Sequence, residues 1–423
     1  MDNKQKLMEQ IATVKGAVYY NDMKYSKSEL LATIADRQKE IEEYDSIVIK
    51  GCFFKEWWSY YFACILSDKR VLLMDDSQKK ENCFKDLMYL GKCLYIEASS
   101  NEIYKEDITG DSYEEFHLEE AETVLYTTGT TGVPKGVVIA FSTFCANQVS
   151  INERYLLNEK DTSLHVLNLA HSMGLSFGCL CFLEAGDFYA CNKTTGFYRT
   201  MVRKDIDVAM IPPTLYGEFI KLPDFVEAIK KMRFIATGGS KINPAYYDMA
   251  REWGVRLLNG YGMTECGIAT GDVNDQEISD KIKPLSACEI GFSEEKEILV
   301  RGKNVNKKYL DGTPICDADG WIHTGDLGYI EKGYLYISGR RDDVVILKNG
   351  FKVDMIELEE RICALEPVED ACVKNRKGAI VVEVVATEHC DELIESVLRY
   401  YETVEICYVE EIQLFRGKKR RKE

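Results

Sequence analysis

Threonine, glycine and lysine crowd together in the run Tyr126-Thr127-Thr128-Gly129-Thr130-Thr131-Gly132-Val133-Pro134-Lys135-Gly136. It follows apolar Val124-Leu125 and leads into Val137-Val138-Ile139, which reads as a strand, a tight loop and more extended chain. The threonines supply hydroxyl donors, the glycines let successive backbone N–H groups turn to one side, and Lys135 adds a flexible positive charge. That chemistry suits a polyphosphate. A kinase-type P-loop is disfavoured, because Lys135 follows Pro134 and precedes Gly136, whereas that motif needs glycine before the lysine and Ser or Thr after it. A flexible Thr/Gly turn between two strands has the same composition.

Further segments downstream carry groups that could act on the same ligand. Leu167-Asn168-Leu169-Ala170-His171-Ser172-Met173-Gly174 places a histidine at what reads as the end of an apolar strand. Thr237-Gly238-Gly239-Ser240 ends another strand with a glycine turn. Leu257-Leu258-Asn259-Gly260-Tyr261-Gly262-Met263-Thr264-Glu265 ends a third with an aromatic ring, a hydroxyl and a carboxylate. Ligands of open α/β sheets bind beyond the carboxyl ends of strands, so these loops are expected to share one cleft. The carboxylate is a hard oxygen donor suited to Mg²⁺. Trp321-Ile322-His323-Thr324-Gly325-Asp326 follows in a β-rich stretch, then Gly339-Arg340-Arg341-Asp342-Asp343, a hairpin turning at Lys348-Asn349-Gly350, and a basic end from Gly417-Lys418 to Arg421. Taken alone, that end also reads as a solvated tail.

In this order the motifs closely resemble the adenylate-forming superfamily: acyl- and aryl-CoA synthetases, luciferases and the adenylation domains of peptide synthetases. The resemblance runs from about residue 120 to 422. It implies that Thr127, Thr128, Gly129, Thr130, Thr131, Gly132 and Lys135 hold the β- and γ-phosphates of ATP. It implies that Gly238, Gly239 and Ser240 lie along the adenine, that Tyr261 stacks on it, that Thr264 contacts the α-phosphate and that Glu265 holds magnesium. Asp326 and Arg340 would bind the ribose, Asp342 would be the pivot of a mobile domain, Gly350 would line the pantetheine tunnel, and Lys418 would be the catalytic lysine. His171 matches the histidine of the acyl pocket. Amino-acid-activating members carry an aspartate next to that point, where this chain has Ser172. Met355, where many members have proline, and Leu414-Phe415-Arg416 before the lysine depart from the family pattern.

The elements that must position these groups follow from size and patterning. A chain of 423 residues, 46% of them hydrophobic, exceeds what one core normally organises. The expected fold is α/β: a large domain over 1–339, with layered sheets and helices and a β-barrel-like part, and a small mobile α+β domain over 340–423. Residues 1 to about 120 alternate short apolar runs with helical segments such as Lys55 to Leu66, whose aromatic residues are expected to be core. The net charge of −17 argues against nucleic-acid binding. No apolar run has the length of a membrane span, and a cytoplasmic location is expected. The fifteen cysteines are scattered and mostly in apolar segments, which suits buried thiols rather than disulfides or a zinc site.

The expected activity is ATP-dependent activation of a fatty or aromatic carboxylic acid to an acyl adenylate. Transfer to the thiol of CoA or of a carrier protein's phosphopantetheine follows. A stand-alone amino-acid-adenylating enzyme and a nonenzymatic nucleotide-binding protein are the alternatives. The first is disfavoured by the lack of any carboxylate from Leu164 to Gly178, since a buried ammonium needs a counter-charge.

Overall fold

The computed structural model describes residues 2–20, 23–51, 53–76, 89–98, 103–108, 118–127, 135–341, 344–346, 352–376, 379–398, 404–412, 414–415 and 418–419. The chain divides into two compact units, one of residues 1–290, 300–322 and 330–335, the other of 291–299, 323–329 and 336–423.

The first unit holds two large sheets. One has seven strands in the spatial order Lys308–Tyr309, Gly136–Ala140, Glu122–Tyr126, Arg70–Met74, Ser46–Lys50, Cys93–Ala98, Ile103–Ile108. The four strands from Glu122–Tyr126 to Cys93–Ala98 run parallel, and those outside them are antiparallel to their neighbours. The central strands Ser46–Lys50 and Arg70–Met74 are buried almost throughout, with the apolar runs Ile47-Val48-Ile49 and Val71-Leu72-Leu73-Met74, as suits strands covered on both faces. The helix Trp57–Leu66 is buried almost all round. Its Trp58 stacks on Phe182 with ring centroids 4.3 Å apart, so the helix and the helix Ser172–Glu184 share one core. The aromatic cluster around Trp57 and Trp58 is therefore core, as its spacing predicts.

The other sheet has nine strands in the order Lys283–Pro284, Cys266–Thr270, Leu257–Met263, Phe234–Gly238, Val208–Met210, Ser163–His165, Phe188–Ala190, Ala17–Tyr20, Met23–Ser26. From Leu257–Met263 to Ala17–Tyr20 they are parallel. After Ser163–His165 the chain moves to one side for Phe188–Ala190 and then back to the other for Val208–Met210. The order reverses there, and such a switch point opens a crevice at the carboxyl ends of the strands. Helices Thr194–Arg203, Pro213–Phe219, Pro223–Ile229 and Pro244–Trp253 contribute to a second core. The last has clear stops: Asn243 accepts a hydrogen bond from the Ala245 amide at its start, and Gly254 takes φ +71° at its end.

From residue 288 the chain becomes β-rich, with strands Cys288–Phe292, Glu297–Gly302, Ile322–Glu331 and Tyr334–Arg340. In the second unit Ala379–Ala386 pairs antiparallel with Val368–Arg376 and parallel with Val404–Tyr408. Helices Met355–Cys363 and Asp391–Leu398 help build its core, through Leu358, Ile362, Ile394 and Leu398 among others. The strands Val344–Ile346 and Lys352–Asp354 form the expected hairpin, whose turn residues lie outside the described ones.

One local expectation is corrected. The apolar strand before the histidine motif is only Ser163–His165, and His171 lies at the start of the helix Ser172–Glu184. Asn168 breaks the strand. Its side chain accepts from the Ala170 amide at 2.8 Å and its carbonyl from the His171 amide at 3.1 Å, a tight turn that leads straight into the helix.

Candidate active site

The threonine-glycine segment is the loop of a hairpin. Glu122–Tyr126 and Gly136–Ala140 pair antiparallel up to Tyr126 opposite Gly136, and the Thr127 amide donates to the Lys135 carbonyl at 2.9 Å. The candidates Thr128, Gly129, Thr130, Thr131 and Gly132 lie outside the described residues. Gly136 packs closely at the base: a Cβ there would sit 3.1 Å from Val124 Cγ1 and 3.2 Å from Leu310 Cβ, a tight fit that those side chains would have to accommodate.

At this base two charged groups meet over one ring. The Lys135 ammonium lies 5.0 Å from the centre of the Tyr309 ring, and the Tyr309 hydroxyl donates to Glu265 Oε1 at 3.1 Å. Tyr309 is held in place because Lys308–Tyr309 pairs with the hairpin strand Gly136–Ala140. Glu265 is only 6% exposed. Burial pushes its carboxyl above the usual carboxylate range, and Tyr309 and Lys135 oppose that less strongly. A buried carboxylate of this kind fits a hard cation. Among the described residues no group of three or more His, Cys, Asp or Glu could hold a metal, and a single carboxylate completed by substrate phosphates is a usual way to bind magnesium. Sequence reasoning missed Tyr309; its position after Lys307-Lys308 carries no local sign of a role.

Thr264 and Glu265 form the turn between Leu257–Met263 and Cys266–Thr270, with Met263 opposite Cys266. The register shifts between Tyr261 and Gly262, a bulge of the kind that re-aims a side chain. Gly238 pairs with Gly260, and a Cβ on Gly238 would lie 2.5 Å from the Gly260 carbonyl oxygen. Beyond these strand ends is a cavity of about 170 Å³. Gly239, Tyr261 and Thr264 line it together with Ser172 and Met173 from the helix start and apolar Leu125, Phe144, Ile151 and Phe177. No Asp, Glu, Lys, Arg or His is among the described residues that line it. Gly238 is buried behind it and Ser240 is exposed; neither is in the lining.

His171 is not in the lining either. Its side chain is 55% exposed and Nε2 lies 3.6 Å from Asp75 Oδ2, an oxygen that the Asn168 amide also binds. Gly174, three residues on, has a packing reason: a Cβ there would lie 2.0 Å from the Asn168 carbonyl oxygen, so only glycine lets the helix close on the turn.

In the second unit, Thr324-Gly325-Asp326 is a braced bend. Gly325 takes φ +73° and its amide donates to Glu297 Oε1 at 2.8 Å; Thr324 Oγ1 donates to the Ile298 carbonyl at 2.8 Å and accepts from the Asp326 amide at 3.0 Å. Asp326 and Arg340 meet at 3.0 Å. Glu297, 2% exposed, also binds Arg341 at 2.8 Å and His323 at 3.2 Å. Glu297 and Arg341 escaped the sequence reading, although a glutamate opening the apolar run Ile298-Leu299-Val300 was a signal. Lys418 opens the strand Lys418–Lys419, where it pairs with Phe415, and Gly350 lies outside the described residues.

A mainly parallel sheet with a cavity beyond its strand ends, lined in part by the Thr264 turn, is the arrangement of an AMP-forming acid–thiol ligase. The family model "AMP-binding enzyme" matches residues 63–310, and the chain belongs to that family. It is similar to the 2-succinylbenzoate–CoA ligase of Bacillus mycoides (strain KBAB4), 26% identical over 339 residues that cover 72% of this chain and 70% of the relative. The enzyme of that name from Listeria innocua is 26% identical over 306 residues, 67% of this chain and 64% of the relative. Two solved structures show the fold: ATP-bound MatB from Rhodopseudomonas palustris (TM-score 0.81, 19% identity, 98% of this chain and 96% of that one) and the O-succinylbenzoate coenzyme A synthetase MenE from Bacillus subtilis with AMP (TM-score 0.80, 22% identity, 100% and 97%). The enzyme activates a carboxylic acid with ATP and magnesium, releases pyrophosphate, and passes the acyl group from an acyl adenylate to a pantetheine thiol. Among the described residues no helix is long and apolar enough to cross a membrane.

Proposed function

We propose that this ligase activates a compact aromatic or short-chain acid and uses CoA as the acceptor, and that 340–423 moves as a domain between the two half-reactions. The observation that carries the substrate reading is the uncharged lining of the cavity. Ser172 is part of that lining, and among the described lining residues an α-ammonium would have no carboxylate to meet. A space of about 170 Å³ matches one ring better than a long acyl chain, since an apolar cavity of similar size holds benzene. The acceptor reading rests on the CoA ligases among the relatives.

The first half-reaction joins two anions, so the protein's task is to hold them in line and offset their charge. Thr127, Lys135 and the loop between them hold the β- and γ-phosphates, Tyr261 faces the adenine beside Gly239, and Thr264 supports the α-phosphate. Glu265 is the residue that would hold magnesium, which supplies positive charge to the phosphates. Asp326 accepts from the ribose hydroxyls, with Arg340 beside it. Lys418 stabilises the charge that develops as pyrophosphate leaves. His171, one residue before Ser172 of the lining, faces Asp75 at 3.6 Å and would act on the acyl end only through that neighbourhood. Rotation about Asp342 then withdraws Lys418 and brings Gly350 to the path of the pantetheine arm.

The test is ATP–pyrophosphate exchange with benzoates, short-chain acids, long-chain fatty acids and amino acids, with and without magnesium, followed by CoA addition. Magnesium-dependent exchange with benzoates or short acids and AMP-coupled CoA thioester formation are expected. Preferential exchange with amino acids or long-chain acids would overturn the substrate reading, and acyl adenylate that accumulates in the presence of CoA would overturn the acceptor.

A further inference from the structure

Glu297 opens the strand Glu297–Gly302 in the second unit and is only 2% exposed. A carboxylate in such a place is costly unless donors meet it, and Glu297 meets three. Its Oε1 accepts from the Gly325 amide at 2.8 Å, and its Oε2 lies 2.8 Å from Arg341 and 3.2 Å from His323 Nδ1. Two of these partners adjoin the residues expected to meet a nucleotide: Gly325 precedes Asp326, and Arg341 follows Arg340. Asp326 and Arg340 meet each other at 3.0 Å, and their side chains are 15% and 38% exposed, so both remain open to a ligand. The next residue of the strand adds a second hold, because the Ile298 carbonyl accepts from Thr324 Oγ1 at 2.8 Å. Gly325 itself fits the bend closely: its φ is +73°, and a Cβ there would lie 3.2 Å from Arg340 Nη2.

Resting on the reading of Asp326 and Arg340 as the ribose ligands, we infer that Glu297 is the positioning residue of the ribose site, acting together with Arg341. Through the Gly325 amide it fixes the backbone turn that aims the Asp326 carboxylate. Through Arg341 it anchors the end of the strand Tyr334–Arg340, which carries Arg340. One buried charge thereby holds in register two groups that come from different strands, Ile322–Glu331 and Tyr334–Arg340. Hydrogen bonds from two ribose hydroxyls to one carboxylate depend on direction as well as distance, and a carboxylate that is no longer held loses them. A site that has lost them treats ribose and deoxyribose alike. A residue that serves packing alone would weaken every nucleotide equally, so the preference for the intact sugar is the quantity that reports this role.

The experiment is calorimetric titration of the full chain by ATP, 2′-deoxy-ATP and 3′-deoxy-ATP, with magnesium present and no acid substrate. The wild type should bind ATP about tenfold or more tightly than at least one deoxy analogue, and Asp326→Asn should abolish that preference. Glu297→Leu, which removes both holds, should bring the ratio to within about twofold. Glu297→Gln keeps an oxygen for the Gly325 amide and gives up the ion pair, so its ratio should fall between, as should that of Arg341→Gln. The Arg341 side chain is 50% exposed, so its replacement leaves the core intact. A ratio held at the wild-type value in Glu297→Leu overturns the inference, even where affinity for all three nucleotides falls together. If Glu297→Leu does not fold, unchanged ratios in both Glu297→Gln and Arg341→Gln overturn it. A preference that Asp326→Asn loses and the Glu297 variants keep defeats the inference alone. A wild type without the preference, or an Asp326→Asn variant that retains it, overturns the ribose reading, and the inference falls with it.

Discussion

Glu265 is a carboxylate folded into a place that does not favour its charge, with a phenol at 3.1 Å and an ammonium beyond it. Such a group is costly to the empty protein and useful to a cation. Glu265→Gln should therefore lower magnesium-dependent exchange by about a hundredfold or more, while the melting temperature without nucleotide stays level or rises. A fall in both would mark the residue as structural. His165 offers a contrast, a histidine that the reaction does not use. It is fully inside, against Phe177 and Phe188, and burial pushes its pKa down to about 4 from 6.5. A depressed histidine resists protonation in the folded state, so its contribution is intact above about pH 6.5 and is lost as the pH falls toward 4, on the order of 3 kcal/mol in all. Replacing it with Phe should flatten the stability profile across that window, as read by denaturant titration at a series of pH values. At this scale the sequence revealed chemistry through residue type: Thr264, Glu265 and Asp326 were recognisable. Tyr309 and Glu297 were not, because each owes its place to a partner far away in the chain.

Elements bring these residues together through close approaches that tolerate no side chain. Gly238 sits at the end of its strand against the Gly260 carbonyl at a spacing that a methyl group would violate. Gly238→Ala should push the strands Phe234–Gly238 and Leu257–Met263 apart at their carboxyl ends, costing about 1–3 kcal/mol of stability and raising the KM for ATP more than it lowers kcat. An ATP KM that stays at the wild-type value would show that the strand ends do not shape the nucleotide site. The helix Trp57–Leu66 acts at a distance, as the packing support on which the helix Ser172–Glu184 rests through Trp58 and Phe182. Trp58→Ala should cost about 3–5 kcal/mol in equilibrium unfolding. Most elements were legible because their apolar periodicity is strong, as in Ser46–Lys50 or Pro244–Trp253. The turn before His171 was not, since Leu167-Asn168-Leu169-Ala170 has a strand's composition and only the hydrogen bonds of Asn168 close it.

For the molecule as a whole, two half-reactions ask for two sets of groups. If 340–423 alternates between them, Lys418→Ala should suppress adenylation, read by pyrophosphate exchange, by about a hundredfold or more while largely sparing thioester formation from supplied acyl adenylate. Equal losses in both assays would remove Lys418 from that role. The family's chemistry is written in short motifs whose residue types and order survive without any knowledge of packing, because phosphates, a metal ion and a ribose each demand particular donors. The sequence alone therefore determined the class of enzyme and the set of candidate groups. Only the tertiary structure decided that Lys135 and Glu265 converge on Tyr309, that His171 faces Asp75 outside the cavity lining, and that the cavity is small and, among the described residues, lined without a charged side chain. These are facts of volume and distance between segments remote in the chain, and no local pattern of residues encodes them.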